Sequence, residues 1–312
     1  ADDHAAEPLR LVRTIALGNV EGRIDHMAAD DDCRRLFVAA LGNNSVEVIN
    51  LSTGRVDGSI RGLHEPQGVA LVNDEELLAV CDGGDGTCRL FDARSFHSKK
   101  AFDFRSDADN VRYDASERRL YVGFGDGAIG VVDTARMTKI AEVALPAHPE
   151  SFQLETKGHR IFVNVPSARQ IAVVDRTQLK LVATWPVNEA HANFPMALDE
   201  TRHQLYVGCR SPAIVLVYDT ESGKCVAAFP TVGDTDDLFY DRPTRRLYVC
   251  GGNGFVFVYQ LEDTNHFTCI ARIPTASGAR TALFVPRTAR LFVAVPHRGS
   301  QAAIVKEYEV MP

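Results

Sequence analysis

Hydrophobic residues along the chain fall in short runs that alternate with polar positions, and one of these runs recurs. It consists of Leu or Ile, an aromatic or aliphatic residue and then Val, as in Leu36-Phe37-Val38. Short runs of β-branched and aromatic residues between turn residues predict β-strands, and no stretch shows helical periodicity. The first copy begins at Arg35, and the later copies begin at Leu77, Arg119, Arg160, Gln204, Arg246 and Arg290.

The spacing between copies is about 41 to 44 residues, which is the length of a four-stranded propeller blade. Each repeat adds a weak apolar strand before the recurring run. A Val-rich strand such as Val131-Val132-Asp133 and an amphipathic strand such as Leu181–Trp185 follow it. The seven copies therefore predict an all-β fold, a seven-bladed β-propeller with four antiparallel strands per blade.

The two ends of the chain predict how the ring closes. The seventh repeat stops after its third strand, at about Ala303–Val310, whereas an unassigned strand, Leu11–Leu17, precedes the first repeat. We expect this N-terminal strand to complete the last blade, because closure removes the open sheet edges of an unclosed array. The prediction is a single propeller domain over residues 9–312, preceded by a flexible N-terminal segment, residues 1–8.

Some acidic residues recur once per blade, at the end of the third strand. Asp133, Asp175 and Asp219 are examples. Asp at such positions accepts hydrogen bonds from the following turn, so a structural role is predicted for these residues.

The Leu-Tyr-Val strand, the Val-Val-Asp strand and the repeat length resemble those of the YVTN-repeat, YncE-like β-propellers and, more distantly, of propeller lactonases. The resemblance extends from about Leu11 to Val310. It implies the fold. It does not imply an activity, because the repeated residues pack the blades and one fold hosts many functions.

Composition narrows the possible partners. The formal net charge is −7 and the hydrophobic fraction is 45%, so a nucleic-acid-binding protein is not expected. No apolar run approaches the length of a membrane span, and we expect a monomer. The sequence begins at Ala1 with a small, polar segment, as after removal of a leader, so we expect a periplasmic or secreted protein, with a cytoplasmic location as the alternative.

The seven cysteines are irregularly spaced and do not form a disulfide framework. Cys81 and Cys88 flank one hairpin, and the sequence leaves open whether they pair. Residues Gly125–Gly130 match the dinucleotide motif G-x-G-x-x-G, but a strand follows them where the motif requires a helix, so a hairpin turn is predicted. Nucleophile-elbow, Walker and H-E-x-x-H motifs are absent.

The candidate site lies in the loops that lead into the first strand of each blade. Blade topology places these loops around one mouth of the central channel. They are rich in His and acidic residues that do not recur between blades. The candidate ligand-binding residues are Arg23, Asp25, His26, His64, Gln67, Asp109, Asn110, His148, Glu150, His191, Asp237 and Arg280.

Two functions remain open at this point. The first is a non-enzymatic binding scaffold whose channel-mouth face binds a protein, a peptide or a small molecule. The alternative is a metal-dependent lactonase-like hydrolase or lyase, with a divalent metal ion as its possible cofactor, because imidazole and carboxylate groups bind such ions. Its candidate metal ligands are His26, His64, His148 and His191.

Overall fold

The computed structural model describes residues 7–312, which form seven four-stranded antiparallel sheets. This confirms the predicted seven-bladed propeller. Residues 1–6, most of the segment predicted to be flexible, lie outside the described residues. Within residues 7–312 there is no α-helix, and the only helical turns are short 3-10 segments at Leu41–Asn43, Pro166–Ala168 and Pro286–Thr288.

Six blades use four consecutive strands from the channel outwards, and the seventh takes its outermost strand from the N-terminus. The first strands are β2 (Met27–Ala29), β6 (Pro66–Val72), β10 (Ala108–Asp114), β14 (Phe152–Leu154), β18 (His191–Asp199), β22 (Thr235–Asp241) and β26 (Ala282–Val285). The second strands are β3 (Arg35–Ala40), β7 (Leu77–Asp82), β11 (Arg119–Phe124), β15 (Arg160–Val165), β19 (Gln204–Ser211), β23 (Arg246–Gly251) and β27 (Arg290–Val295).

The outer half of each blade holds the remaining strands. The third strands are β4 (Ser45–Asn50), β8 (Thr87–Asp92), β12 (Ala128–Asp133), β16 (Gln170–Asp175), β20 (Ala213–Asp219), β24 (Phe255–Leu261) and β28 (Ile304–Val310). The fourth strands are β5 (Arg55–Ile60), β9 (Ser98–Asp103), β13 (Thr138–Ala144), β17 (Lys180–Pro186), β21 (Lys224–Pro230), β25 (Phe267–Pro274) and, from the N-terminus, β1 (Leu9–Ala16).

Burial follows the distance of each strand from the channel. The second strand β11 is almost completely buried, because both of its faces pack against neighbouring blades. The fourth strand β21 alternates exposed and half-buried residues, as expected for a strand with one face in water. Each hydrophobic cluster joins two blades, for example Phe162 and Val173 of the fourth blade with Leu205 and Val207 of the fifth. The blades therefore hold one another through their sheet faces.

Closure of the ring occurs as the sequence predicts. Strand β1 pairs antiparallel with β28, from Leu9 opposite Val310 to Ala16 opposite Ile304. The closing strand begins two residues earlier than expected, at Leu9. Its side chain is buried in the same cluster as Tyr248 of the sixth blade. The pairing thus completes the seventh sheet and joins the two ends of the chain.

Turns and cysteines complete the description of the scaffold. The predicted role of the repeated acids is confirmed, because Asp175 Oδ1 accepts hydrogen bonds from the backbone N–H groups of Thr177 and Gln178.

A disulfide joins Cys81 and Cys88, which lie opposite each other on β7 and β8. No helix in the described part of the chain is long and apolar enough to cross a membrane.

We predict that the buried side chains of β1 stabilise the closed ring. Ile15 is fully buried, whereas Val12 on the same strand is 46% exposed. Ile15→Ala should lower the free energy of unfolding by about 2–5 kcal/mol, because it leaves a cavity in the closing seam. Val12→Ala is the matched control and should change it by less than about 0.5 kcal/mol. Urea unfolding measures both, and equal effects would contradict the proposed importance of this seam.

Candidate functional site

In six of the seven blades the pairing of the first and second strands is irregular at the channel mouth. In the first blade the N–H of Asp25 donates to the Ala39 carbonyl, and the Ala39 N–H donates to the carbonyl of His26. Two residues thus oppose one, which is the pattern of a β-bulge. The same pairing shift occurs in β6, β10, β18 and β22, and Glu150 and Ser151 repeat the first-blade pattern opposite Asn164.

These irregularities define one position per blade. It lies eleven residues before the Leu or Ile of the recurring run, as Asp25 precedes Leu36 and Asp109 precedes Leu120. A bulge re-aims a side chain, and here it directs this residue towards the channel. We call the seven residues the mouth ring: Asp25, Gln67, Asp109, Glu150, Phe194, Asp236 and Arg280.

All seven members line one cavity of about 270 Å³, the mouth cavity. Neighbouring loops and the adjoining strand positions add Arg23, His26, Asp107, His148 and Arg210 to its wall. The surface of the cavity is mostly polar, with Phe194 as its one aromatic member. Four carboxylates of the mouth ring therefore share a small volume with several cationic side chains.

His26 forms the floor of this cavity and connects three blades. Its Nε2 lies 3.4 Å from Asp25 Oδ1 and 3.9 Å from Asp109 Oδ1, while its Nδ1 lies 3.8 Å from Asp237 Oδ2. Burial by itself would lower the pKa of His26. The charges of Asp25, Asp237 and Asp109 outweigh burial and raise the pKa to about 10. His26 is thus an imidazolium at neutral pH, held between acids of the first, third and sixth blades.

Three mouth-ring acids, Asp25, Glu150 and Asp236, have pKa values above those of free carboxylates. Burial, reinforced by Asp109 and Asp236, raises the pKa of Asp25 to about 7 although His26 opposes the shift. Burial and the same two acids raise the pKa of Glu150 to about 8. Burial also raises the pKa of Asp236. Asp25 and Glu150 therefore retain part of their protons near neutral pH.

The opposite side of the cavity contains a compact charge network. The Arg210 guanidinium donates to Asp236 Oδ1 at 2.8 Å, and it lies 3.7 Å from the centre of the Phe194 ring. Arg280 donates to Asp234 Oδ1 at 3.0 Å and lies 3.2 Å from Asp236 Oδ2. These two arginines are thus already paired, and they hold the sixth-blade acids in fixed positions.

One group of three side chains could hold a metal ion. Asp109, His148 and Glu150 each offer a ligand atom, and these atoms lie within 4.8 Å of one another. The Nδ1 of His148 is hydrogen-bonded to the Gly125 carbonyl, which leaves Nε2 facing the cavity. Burial opposes protonation of this imidazole, but Asp109, Gly125 and Asp107 raise its pKa to about 9. A metal ion would have to displace that proton, since only neutral imidazole is a ligand.

The structure places the predicted site residues in different surroundings. Eight of the twelve candidate ligand-binding residues line the mouth cavity: Arg23, Asp25, His26, Gln67, Asp109, His148, Glu150 and Arg280. Asn110 is buried beside Asp109, and Asp237 lies below the floor. The His64 side chain is 62% exposed near Asp85, and His191 is exposed at the start of β18. Of the four candidate metal ligands, only His26 and His148 line the cavity, and metal binding stays a prediction.

Four cavity residues are absent from the twelve candidates: Asp107, Phe194, Arg210 and Asp236. Polarity alone does not single out Phe194, because an aromatic residue in a strand is ordinary. The fixed distance of eleven residues from the recurring run would have found Phe194 and Asp236. Arg210 comes from the end of a second strand, β19 of the fifth blade, and its pairing with Asp236 is seen only in the structure.

A polar channel mouth on a seven-bladed propeller defines the class of this protein. Its relatives by sequence include the uncharacterized protein YncE of Salmonella typhimurium (strain LT2), which is 24% identical over 224 residues. YncE of Salmonella typhi matches to the same extent. The match covers 66% of this chain and only 63% of the length of these relatives. No protein-family model matches the chain.

Solved structures show the same fold at low sequence identity. A chain of the Kuenenia stuttgartiensis hydrazine synthase has a TM-score of 0.77 at 16% identity, and the match covers 92% of this chain and 97% of that one. A chain of the mitotic checkpoint complex has a TM-score of 0.83 at 13% identity, with coverages of 100% and 96%. The RRP9 WD40 repeats have a TM-score of 0.81 at 13% identity, with coverages of 97% and 98%.

The chain is thus similar in sequence to YncE over 224 residues, and it has the seven-bladed propeller fold. The solved structures share too little sequence with this chain to indicate more than the fold.

We predict that His26 stabilises the fold in a pH-dependent manner. Its pKa is raised from an ordinary value of 6.5 to about 10, so its contribution is complete below pH 6.5 and is lost as the pH rises to about 10. His26→Gln should lower the free energy of unfolding by roughly 2 kcal/mol at pH 6 and by much less at pH 10.

Urea unfolding at pH 6, 8 and 10 measures this difference. His64→Gln is the control, because this largely exposed side chain should contribute less than about 0.5 kcal/mol at any pH. A difference between wild type and His26→Gln that stays constant or grows with pH would rule out the ion pairs as its source.

Proposed function

We propose that this protein is a binding scaffold whose mouth cavity recognises a cationic group on a protein, peptide or small-molecule ligand. The observation that carries the proposal is the mouth ring. Four of its seven positions are carboxylates: Asp25, Asp109, Glu150 and Asp236. They come from four different blades and converge on one cavity of about 270 Å³.

Electrostatics favours a cation over an anion at this place. The raised pKa values of Asp25 and Glu150 mean that protons occupy part of the cavity near neutral pH. A ligand ammonium or guanidinium group can replace those protons and relieve the repulsion between the acids. Arg210 and Arg280 are less available to bind an anion, because they already donate hydrogen bonds to Asp236 and Asp234.

Phe194 adds a contact that suits an organic cation. Its ring lies in the cavity wall and already has the guanidinium of Arg210 against it, 3.7 Å from the ring centre. Aromatic rings attract cations through their negative faces, and they also contact the methylene groups that carry an ammonium. A side chain such as Lys or Arg of a partner peptide therefore matches the cavity better than a bare metal ion does.

A metal-dependent hydrolase or lyase at the same face is less well supported. His64 and His191 lie apart from His148, and His148 carries a proton in the absence of metal. The sequence also lacks the common catalytic motifs, so the residues present argue for recognition and not for chemistry.

We also propose that the protein is located in an oxidising compartment, the periplasm or the cell exterior. The buried disulfide between Cys81 and Cys88 supports it, because such bonds persist mainly in exported proteins. A periplasmic or secreted scaffold would meet cationic groups on the surfaces of other exported proteins.

Peptide binding tests the proposed function. We expect a library of short peptides containing Lys or Arg to bind saturably in calorimetry, and matched peptides with norleucine or citrulline to bind at least tenfold more weakly. Asp109→Asn and Glu150→Gln should each weaken binding at least tenfold, because a charge-assisted hydrogen bond is lost.

Asp126→Asn is the matched control for general electrostatics. Asp126 is an exposed acid in the loop between β11 and β12, on the same face of the propeller but outside the cavity. It should leave peptide affinity unchanged. The proposal fails if citrulline peptides bind as tightly as arginine peptides, or if Asp126→Asn weakens binding as much as the cavity variants do.

A further inference from the structure

A second ring of side chains faces the channel below His26. It lies eight residues before the Leu or Ile of the recurring run, as Arg112 precedes Leu120. Most of its members are small or apolar, and the two polar members, Arg112 and Gln153, lie in neighbouring blades. We call it the middle ring: Ala28, Ala70, Arg112, Gln153, Ala197, Phe239 and Leu283.

Six of the seven middle-ring residues, all except Ala197, line a second cavity, the lower chamber, of about 500 Å³. Its walls are largely hydrophobic side chains, including Val69, Leu71, Phe239 and Leu283. His26 lines both cavities and so lies between them. The lower chamber opens towards the turns that follow the first strands, on the face opposite the mouth. Its volume is typical of small-molecule pockets, which span about 300–1,000 Å³.

Arg112 is the cation of this apolar chamber. Its guanidinium donates hydrogen bonds to the Val111 carbonyl at 2.8 Å and to Ser151 Oγ at 3.4 Å. It also lies 5.5 Å from the centre of the Phe152 ring. A guanidinium has more N–H groups than these two acceptors engage. Part of the guanidinium is therefore available to a ligand in the chamber.

No carboxylate between residues 7 and 312 lies within 4.0 Å of the Arg112 guanidinium. Burial lowers the pKa of Arg112, and Asp237 and Asp109 counter this effect only in part. Asp237 already accepts a hydrogen bond from the Ala282 N–H at 2.8 Å and lies beside His26. A partly buried cation without a close counter-ion is costly, so Arg112 favours an anion in the chamber.

We propose that the lower chamber binds a small organic acid with an apolar body, whose carboxylate pairs with Arg112. The guanidinium fork matches a carboxylate in geometry as well as charge. The aliphatic and aromatic walls would cover the apolar body of the acid and remove it from water. This proposal concerns a different cavity from the proposed function and does not depend on it.

Acidic residues at the opening restrict the ligand further. Asp31, Asp74 and Glu75 line the outer part of the lower chamber. A ligand with a second carboxylate at its far end would place that charge beside these acids, and like charges repel. The chamber therefore selects monocarboxylates over dicarboxylates of the same length.

Calorimetry and ligand-observed NMR with defined acids test the proposal. The probes are hexanoate and phenylacetate, their neutral amides, and the dicarboxylate adipate. We expect both monocarboxylates to bind saturably, and the amides and adipate to bind at least tenfold more weakly. The proposal is overturned if neither monocarboxylate binds at millimolar concentrations, or if the amides bind as well as the acids.

Two variants locate the bound acid. Arg112→Gln should weaken hexanoate binding at least tenfold, whereas Arg61→Gln, at an exposed arginine outside the chamber, should leave it unchanged. Ala70→Phe fills the chamber without removing charge and should also abolish binding. Circular dichroism and the Tm verify that each variant folds. Binding that survives in a folded Arg112→Gln or a folded Ala70→Phe would overturn the proposal.

Discussion

The pairing of β1 with β28 is the interaction on which the rest of this structure depends. Each hydrophobic cluster lies between two blades, so a blade is stable only when it has a neighbour on both sides. A ring satisfies this condition for every blade, and the ring closes only because the N-terminal strand completes the seventh sheet. Closure also fixes the circle of first strands, and with it the width of the channel and the positions of both cavities.

Once the circle of first strands is fixed, the charged side chains in the channel are held close to one another. A recurring bulge directs one residue per blade into the mouth cavity, and four of these residues are acids. Burial and mutual repulsion raise the pKa values of Asp25 and Glu150, while the surrounding acids raise that of His26. Clusters of side chains with shifted pKa values on a rigid scaffold are typical of ligand-binding sites. The blades supply the stability that this arrangement requires.

The two cavities differ in the kind of ligand that we propose for them, although both lie along the central channel. We propose a cation as the ligand of the mouth cavity, where four mouth-ring carboxylates converge, and an organic acid as the ligand of the lower chamber, which contains the partly buried guanidinium of Arg112. His26 separates them, and its imidazolium is held by acids from both levels, Asp109 above and Asp237 below. The ionisation state of this single residue therefore affects both halves of the channel.

The repeat determines from sequence alone the number of blades, the order of strands and the closing strand, because hydrophobic periodicity and turn spacing are local properties of the chain. It also determines, through the distance to the recurring run, which residues face the channel, such as Phe194 and Arg112. Only the tertiary structure decides which of those residues meet. His26 contacts Asp109 and Asp237, while the equally polar His64 remains exposed. Contacts between distant blades depend on side-chain direction and ring geometry, and no local pattern in the sequence specifies either.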